Sequence, residues 1–208
     1  MIERLFQDPI YFVITAVGIV IAISVHEFAH AAMAYYLGDP TAKNEGRLTL
    51  NPLSHLDLWG TLLLLLAGFG WGKPVPFNPY NLRNQRWGPA LVSLAGPGSN
   101  LVMALMFIAF LKFVYPLLNL GAGNALFDFL YFLIIINMVL MTFNLLPVPP
   151  LDGSKLLFAI LPTSMDNVKE FLQRYGFFIL IGLVLFGGFF FSLMYSVLIG
   201  GVNLLLGL

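Results

Sequence analysis

Long apolar runs, separated by short polar segments, make up most of the chain. A helix that crosses a bilayer needs roughly 20 predominantly apolar residues. The runs that reach this length predict membrane helices over residues 9–37, 88–113, 125–146 and 175–206. We therefore expect an all-α polytopic membrane protein with about four to six membrane helices, in a single domain over residues 1–208.

Proline and glycine mark where these runs end. Gly38-Asp39-Pro40 stops the first predicted helix, since glycine permits a left-handed turn and proline cannot continue a helix. Gly187-Gly188 can break or tilt the last run, which leaves open whether residues 175–206 cross once or twice. A short amphipathic helix is expected over residues 154–161.

The region between the first two long runs, residues 41–86, is expected not to cross the membrane. Its apolar run at residues 58–71 is brief, and runs of that length are more often re-entrant or interfacial than spanning. Alternating residues predict a short strand at 47–50. The prolines of residues 73–79 indicate an edge strand or an extended loop.

Composition supports the membrane class and excludes others. The chain is 59% hydrophobic and 10% charged, with a mean hydropathy of +0.89, whereas soluble domains carry about 25% charged residues. Its formal net charge is zero, so nothing indicates nucleic-acid binding. The absence of cysteine excludes disulfides and thiolate metal sites.

An H-E-x-x-H motif lies inside the first apolar run, at His26, Glu27 and His30. Positions i and i+4 of a helix share a face, so the two imidazoles can bind one metal ion. Glu27 lies beside that face and is placed to accept a proton from a water molecule that the metal activates. Ionisable groups at membrane depth are costly and usually functional. The alternative is that the histidines only pack against neighbouring helices or bond backbone carbonyls.

A third metal ligand is needed, because catalytic zinc sites usually have three protein ligands. Asp152 is the strongest candidate, since it follows an apolar run and Gly153 permits a tight turn beside it. Asp152 can instead cap the helix that follows it. His55 is the rival ligand, although a loop or interface histidine is its more common interpretation. Three acidic residues are less well placed: Asp128, Asp57 and Glu45.

The third ligand constrains the topology. If Asp152 contacts the histidines, the first helix and the 125–146 helix end on the same side of the membrane. The 88–113 and 125–146 helices already provide the two crossings that return the chain to that side. The 58–71 run therefore does not cross. Most cationic residues then fall on that side, which the positive-inside rule makes cytoplasmic: Lys43, Arg47, Lys73, Arg83, Arg86, Lys155, Lys169 and Arg174. Arg4 and Lys112 lie opposite. We expect a multi-pass protein of the cell membrane, with its N-terminus outside and its site near the cytoplasmic face.

These residues resemble the site-2 proteases, a family of intramembrane zinc metalloproteases. The H-E-x-x-H motif is joined by Asn144-Leu-Leu-Pro147 and by Leu151-Asp152-Gly153. The resemblance covers nearly the whole chain, and it is closest to the compact bacterial and archaeal branch that lacks PDZ and CBS domains. Two further segments are also similar to the family: Asn51-Pro52…His55…Asp57…Gly60 and Gly96-Pro97…Asn100.

The resemblance implies one Zn²⁺ per chain, bound by His26, His30 and Asp152, with Glu27 as the catalytic base. It also implies a substrate-contacting or oxyanion-stabilising role for Asn144, which can instead hydrogen-bond between helices. The implied reaction is hydrolysis of peptide bonds within or near transmembrane segments of substrate proteins in the lipid bilayer.

A membrane metal or proton transporter is the alternative function, because transporters also place histidine and acidic residues at membrane depth. Transporters often contain paired repeats with a site near the midplane. This chain shows no internal repeat, and its one cluster lies towards the end of a predicted helix.

Overall fold

The computed structural model describes residues 8–67, 70–120 and 124–207. Within these ranges the chain is predominantly helical and forms no strand. The helices are α1 (Pro9–Tyr36), α2 (Thr41–Asn44), α3 (Leu58–Ala67), α4 (Gly88–Ala109), α5 (Ala125–Asn144), α6 (Gly153–Ile160), α7 (Asp166–Phe186) and α8 (Gly188–Leu206). The α4 helix continues through a π turn and a 3-10 turn to Leu118.

Four elements in the described ranges are long and apolar enough to cross a membrane: α1, Gly88–Leu118, α5 and α8. The prediction of an all-α polytopic membrane protein is confirmed. The α3 helix has ten residues and is therefore about 15 Å long, half the thickness of a hydrocarbon core. The run predicted at residues 175–206 is divided at Gly187 between α7 and α8.

The α1 and α4 helices pack antiparallel at their polar contacts. His30 is bonded to the Val92 carbonyl, and His26 is bonded to Asn100. The later residue of α1 contacts the earlier residue of α4, so the two helices run in opposite directions. The second half of α1 lies against the first half of α4.

The α1 and α5 helices run in the same direction. Gly18 of α1 lies against Phe132 and Leu133, and Asn100 joins the Ala22 carbonyl to Asn137, one turn further along α5. A Cβ added at Gly18 would lie 2.7 Å from the Phe132 ring, so glycine permits this close helix approach. The C-terminal ends of α1 and α5 consequently lie on one side of the molecule.

A hydrophobic cluster joins α4, α5 and α8 away from these polar contacts. Its buried members include Ala104, Ile108, Leu130, Ile134 and Val202. Many other large apolar side chains are exposed, among them Met106, Phe177, Phe186, Phe189 and Leu204. An exposed apolar surface of this extent is stable in lipid, where no water contacts it.

The predicted strand at residues 47–50 is wrong, since no strand forms there. Residues 73–78 are an extended segment without strand pairing, next to an isolated bridge between Leu56 and Gly72. A ladder cannot continue along this segment, because Pro74 and Pro76 have no N–H to donate. Arg47 reaches the Lys73 carbonyl with its guanidinium Nη2 at 2.5 Å, so its side chain makes the contact that a strand backbone would make.

Candidate metal centre

His26 and His30 lie one turn apart on α1, with side chains directed to the same point. Their Nε2 atoms are 3.0 Å apart, and both residues are buried. The spacing follows from helix geometry, since residues i and i+4 lie one above the other. The sequence-predicted pair is thus brought together.

The Nδ1 atom of each imidazole makes a hydrogen bond that orients the ring. His30 Nδ1 lies 2.7 Å from the Val92 carbonyl oxygen, which can only accept, so Nδ1 carries the proton. His26 Nδ1 lies 2.6 Å from Asn100 Oδ1 and donates in the same way. In the neutral imidazoles the Nε2 lone pairs are then free to bind a metal, and such second contacts are usual for histidine ligands.

Asp152 completes the cluster from the segment between α5 and α6. Its Oδ2 lies 3.2 Å from His26 Nε2 and 3.2 Å from His30 Nε2. Asp152 occupies the N-cap position of α6, but its side chain makes no capping hydrogen bond. The carboxylate is directed to the histidines instead.

The three donor atoms fit a zinc ion. They are separated by 3.0 to 3.2 Å, and ligands about 2.0–2.1 Å from a tetrahedral zinc are roughly 3.3 Å apart. Asp152 Oδ2 is buried and has no hydrogen-bond donor among the described residues. When both histidines are neutral with the proton on Nδ1, three lone pairs converge on one point, and a bound cation would offset their mutual repulsion.

Gly96 of α4 leaves room for this centre. A Cβ at position 96 would overlap the Nε2 atoms of both histidines. In the sequence, Gly96 belongs to a segment similar to the site-2 proteases, but the local pattern gives no sign that the glycine lies against the two histidines. Only the packing of α4 on α1 reveals it.

Two buried asparagines form a chain of hydrogen bonds that begins at His26 Nδ1. Asn100 accepts from His26 and donates through Nδ2 to Asn137 Oδ1 at 2.8 Å, and Asn137 in turn donates to the Leu133 carbonyl at 2.8 Å. Both asparagines are fully buried. The sequence shows only that Asn137 and Asn144 lie seven residues apart in one predicted helix. That spacing does not connect Asn137 to His26.

Glu27 is the next residue along α1, and its carboxylate is held from outside the cluster. Its Oε2 accepts a hydrogen bond from the Val75 main-chain N–H at 3.0 Å. Glu27 is half-buried. A carboxylate that accepts one backbone bond retains lone pairs for a proton, which is what a general base requires.

Two other predicted candidates lie outside the cluster of His26, His30 and Asp152. Asn144 is the last residue of α5 and donates to the Leu140 carbonyl of its own helix at 3.0 Å. His55 is fully buried and bonds the Thr49 carbonyl through Nε2 at 2.7 Å.

Comparison with known proteins places the chain in a protease family. A family model described as Peptidase family M50 matches residues 119–183, which include Asp152. The protein named "Putative zinc metalloprotease YwhC" of Bacillus subtilis is 44% identical over 179 residues, covering 85% of this chain and 80% of that protein. No solved structure gives a significant match.

More distant relatives carry a similar name. The protein named "Putative zinc metalloprotease Rip2" of Mycobacterium tuberculosis (strain Erdman) is 32% identical over 199 residues, covering 88% of this chain and 72% of that protein. Its Mycolicibacterium smegmatis counterpart is 29% identical over 192 residues, with the same coverage. Nothing in these comparisons favours the transporter alternative. The chain belongs to peptidase family M50, the site-2 proteases, and is a multi-pass intramembrane zinc metalloprotease.

Proposed function

We propose that His26, His30 and Asp152 bind the catalytic zinc and that Glu27 is the general base of peptide hydrolysis. The observation that carries this assignment is the convergence of two imidazole nitrogens and one carboxylate oxygen, which lie 3.0 to 3.2 Å from one another. Two histidines and one carboxylate form a recurrent ligand set of catalytic zinc sites, which leave one position open.

Different residues of the chain have different roles in the proposed reaction. Zinc, when bound, acidifies a water molecule and polarises the carbonyl of the substrate. Glu27 accepts a proton from the attacking water and returns it to the leaving amine. The Asn100 and Val92 contacts fix the two imidazole rings, and Gly96 keeps the space beside them open.

Asn144 contacts the substrate in this proposal and supplies an amide donor to the developing oxyanion. Its place at the last residue of α5, eight residues before Asp152, supports the assignment. The amide must first give up its bond to the Leu140 carbonyl. Such donors are effective when they are directed at the charge that develops in the transition state.

The site faces the cytoplasm, with the N-terminus outside the cell membrane. The parallel direction of α1 and α5 and the shortness of α3 support two crossings between the ligand segments. The excess of lysine and arginine on the side of the metal centre supports the orientation. Since the chain has no cysteine, labelling of single cysteines introduced at Lys43 or at Lys112 in sealed vesicles tests it. If a reagent on the cytoplasmic side labelled the cysteine at position 112 but not the one at position 43, the proposed orientation would be contradicted.

The substrate is a protein with a transmembrane helix. A helix hides its scissile carbonyl in a backbone hydrogen bond, so the substrate must unwind locally before it can reach the zinc.

The direct test compares Glu27→Gln with Glu45→Gln, an exposed glutamate of the polar region. We expect Glu27→Gln to abolish cleavage of a reconstituted single-span substrate while it retains about one zinc per chain. Glu45→Gln should cleave as the parent does. Full activity in Glu27→Gln would refute the mechanism, and loss of zinc in that variant would make Glu27 a ligand instead.

A further inference from the structure

The extended segment 72–78 runs across the face of α1 that carries Glu27. At position 72, a Cβ would lie 3.0 Å from Ile23 Cγ2 and 3.8 Å from Glu27 Oε1, so the glycine lets the backbone approach the helix. Three residues later, the Val75 N–H donates to Glu27 Oε2 at 3.0 Å.

The Val75 N–H is a single donor between two residues that have none. Pro74 and Pro76 flank it, and proline lacks the backbone N–H. The prolines also restrict the backbone dihedrals of the segment, including those of the residue that precedes each one. The only amide hydrogen of Pro74-Val75-Pro76 is thus held in one direction, towards Glu27.

The first end of the segment is fixed by two buried residues. The Lys73 N–H donates to the His55 carbonyl at 2.8 Å, and Arg47 Nη2 donates to the Lys73 carbonyl at 2.5 Å. Arg47 is 5% exposed and His55 is fully buried. Both backbone groups of Lys73 are therefore bonded.

The other end is fixed by Asp39, which lies three residues after the end of α1. Its carboxylate accepts from the Asn78 N–H at 2.6 Å and from Asn81 Nδ2 at 2.9 Å. It also accepts from the N–H and the hydroxyl of Thr41. Asp39 is fully buried. A buried carboxylate is tolerated when it is hydrogen-bonded in this way.

We propose that residues 72–78 form a fixed strap that positions the Glu27 carboxylate for catalysis, with the Val75 N–H as the positioning group. Buried Asp39, Arg47 and His55 serve this strap and not the metal. The inference rests on the proposed role of Glu27 as general base.

The strap also limits how a substrate can pair with this region. A substrate that unwinds beside it needs backbone donors to form a strand pair. The N–H groups of Lys73, Val75 and Asn78 are already used within the protein. The strap thus holds Glu27, and the N–H groups of Lys73, Val75 and Asn78 are not available to the substrate.

Hydrogen exchange tests the Val75 bond without any substrate. Residue-resolved exchange by NMR follows the Val75 and Lys73 amides separately, and within Pro74-Val75-Pro76 only Val75 has an amide hydrogen. We expect that amide to be protected in the parent and in Glu27→Gln, which keeps an acceptor oxygen. It should exchange at least tenfold faster in Glu27→Ala, while the Lys73 amide stays protected. A Val75 amide that exchanges equally in the parent and in Glu27→Ala would overturn the proposal.

Kinetics test what the bond does. Val75→Pro removes the N–H, and Val75→Ala keeps it while removing the same apolar side chain. The probe is a quenched fluorescent single-span peptide that the parent cleaves, assayed with the parent, Glu27→Gln and both Val75 variants. We expect kcat to fall about tenfold or more in Val75→Pro, since a bond to a charged group is lost, with unchanged KM and zinc content. Val75→Ala should keep kcat within about twofold of the parent.

The outcomes separate this inference from the proposed function. If Glu27→Gln is inactive but Val75→Pro keeps the parental kcat, the base is correct and the strap does not position it. An equal fall of kcat in Val75→Ala and Val75→Pro would also overturn the positioning role, because the side chain and not the N–H would then matter. If Glu27→Gln is fully active, the proposed function fails together with the inference.

Discussion

Gly96 of α4 lies so close to His30 of α1 that a Cβ added at position 96 would be 2.3 Å from His30 Nε2. The imidazole cannot move away, because its Nδ1 is bonded to the Val92 carbonyl. The glycine therefore borders the proposed metal centre, although it has no side chain to contribute.

Replacement of Gly96 by alanine should eliminate zinc binding and activity. The added methyl group would lie between the two ligand nitrogens and displace them. Gly98→Ala is the matched control, since nothing lies within 4 Å of a Cβ at that position. Elemental analysis of the purified proteins in detergent measures both. Parental zinc content in Gly96→Ala would show that α4 packs differently against α1.

Removal of the amide behind His26 should weaken zinc binding without eliminating it. In Asn100→Ala the His26 Nδ1–H loses its acceptor, and loss of such a contact typically costs about 10–100-fold in metal affinity. Competition with a chelator measures the change. Asn203→Ala is the control, because Asn203 accepts from Tyr131 between α8 and α5. An equal loss of affinity in the two variants would mean that general helix packing, not the histidine contact, is responsible.

The third ligand can be identified by comparing Asp152→Ala with His55→Ala. We expect zinc to be lost in the first and retained in the second, since Asp152 Oδ2 meets both ligand nitrogens whereas His55 bonds the Thr49 carbonyl. His55→Ala should still lower thermal stability, because it removes a fully buried side chain and the hydrogen bond to the Thr49 carbonyl. Zinc loss in His55→Ala alone would transfer the ligand role to the polar region.

Asp39 should make stability depend on pH in the acid range. Burial raises the pKa of this carboxyl, but the hydrogen bonds from Thr41, Asn81 and Asn78 outweigh that effect and hold the pKa below its usual value. A carboxylate with a depressed folded-state pKa stabilises the fold above the unfolded pKa of about 3.9. That contribution is lost as the pH falls below this value and through the lower folded-state pKa.

Melting temperatures in detergent between pH 7 and pH 3 check this sign. The difference between the parent and Asp39→Asn should be largest near neutral pH and should shrink on acidification. Asp166→Asn, at an exposed ion pair with Lys169, is the control and should change stability little. A difference that grows on acidification would contradict the prediction.

The histidine pair, its glutamate and the fold class could be predicted because each depends on neighbours along the chain. A spacing of four residues places His26 and His30 on one face of any helix, and apolar run lengths define membrane helices. Asp152 was also accessible as a candidate, since few ionisable residues end an apolar run. The resemblance to a known family was carried by the same local motifs.

The strand at residues 47–50 was predicted wrongly, because the local pattern does not show whether a partner strand is present. Alternation of residue types describes a strand only if a partner strand is available. The neighbouring segment contains Pro74 and Pro76, and the contact made by Arg47 is through its side chain.

The contacts of Gly96, Asn100 and Val75 became visible only in the folded chain. Asn100 is 74 residues from His26, and Val75 is 48 residues from Glu27. Local patterns state which residues share a helix face, but they do not state which face meets which neighbour. Side-chain packing between α1, α4 and the strap decides that, and with it the orientation of the proposed ligands and of the proposed base.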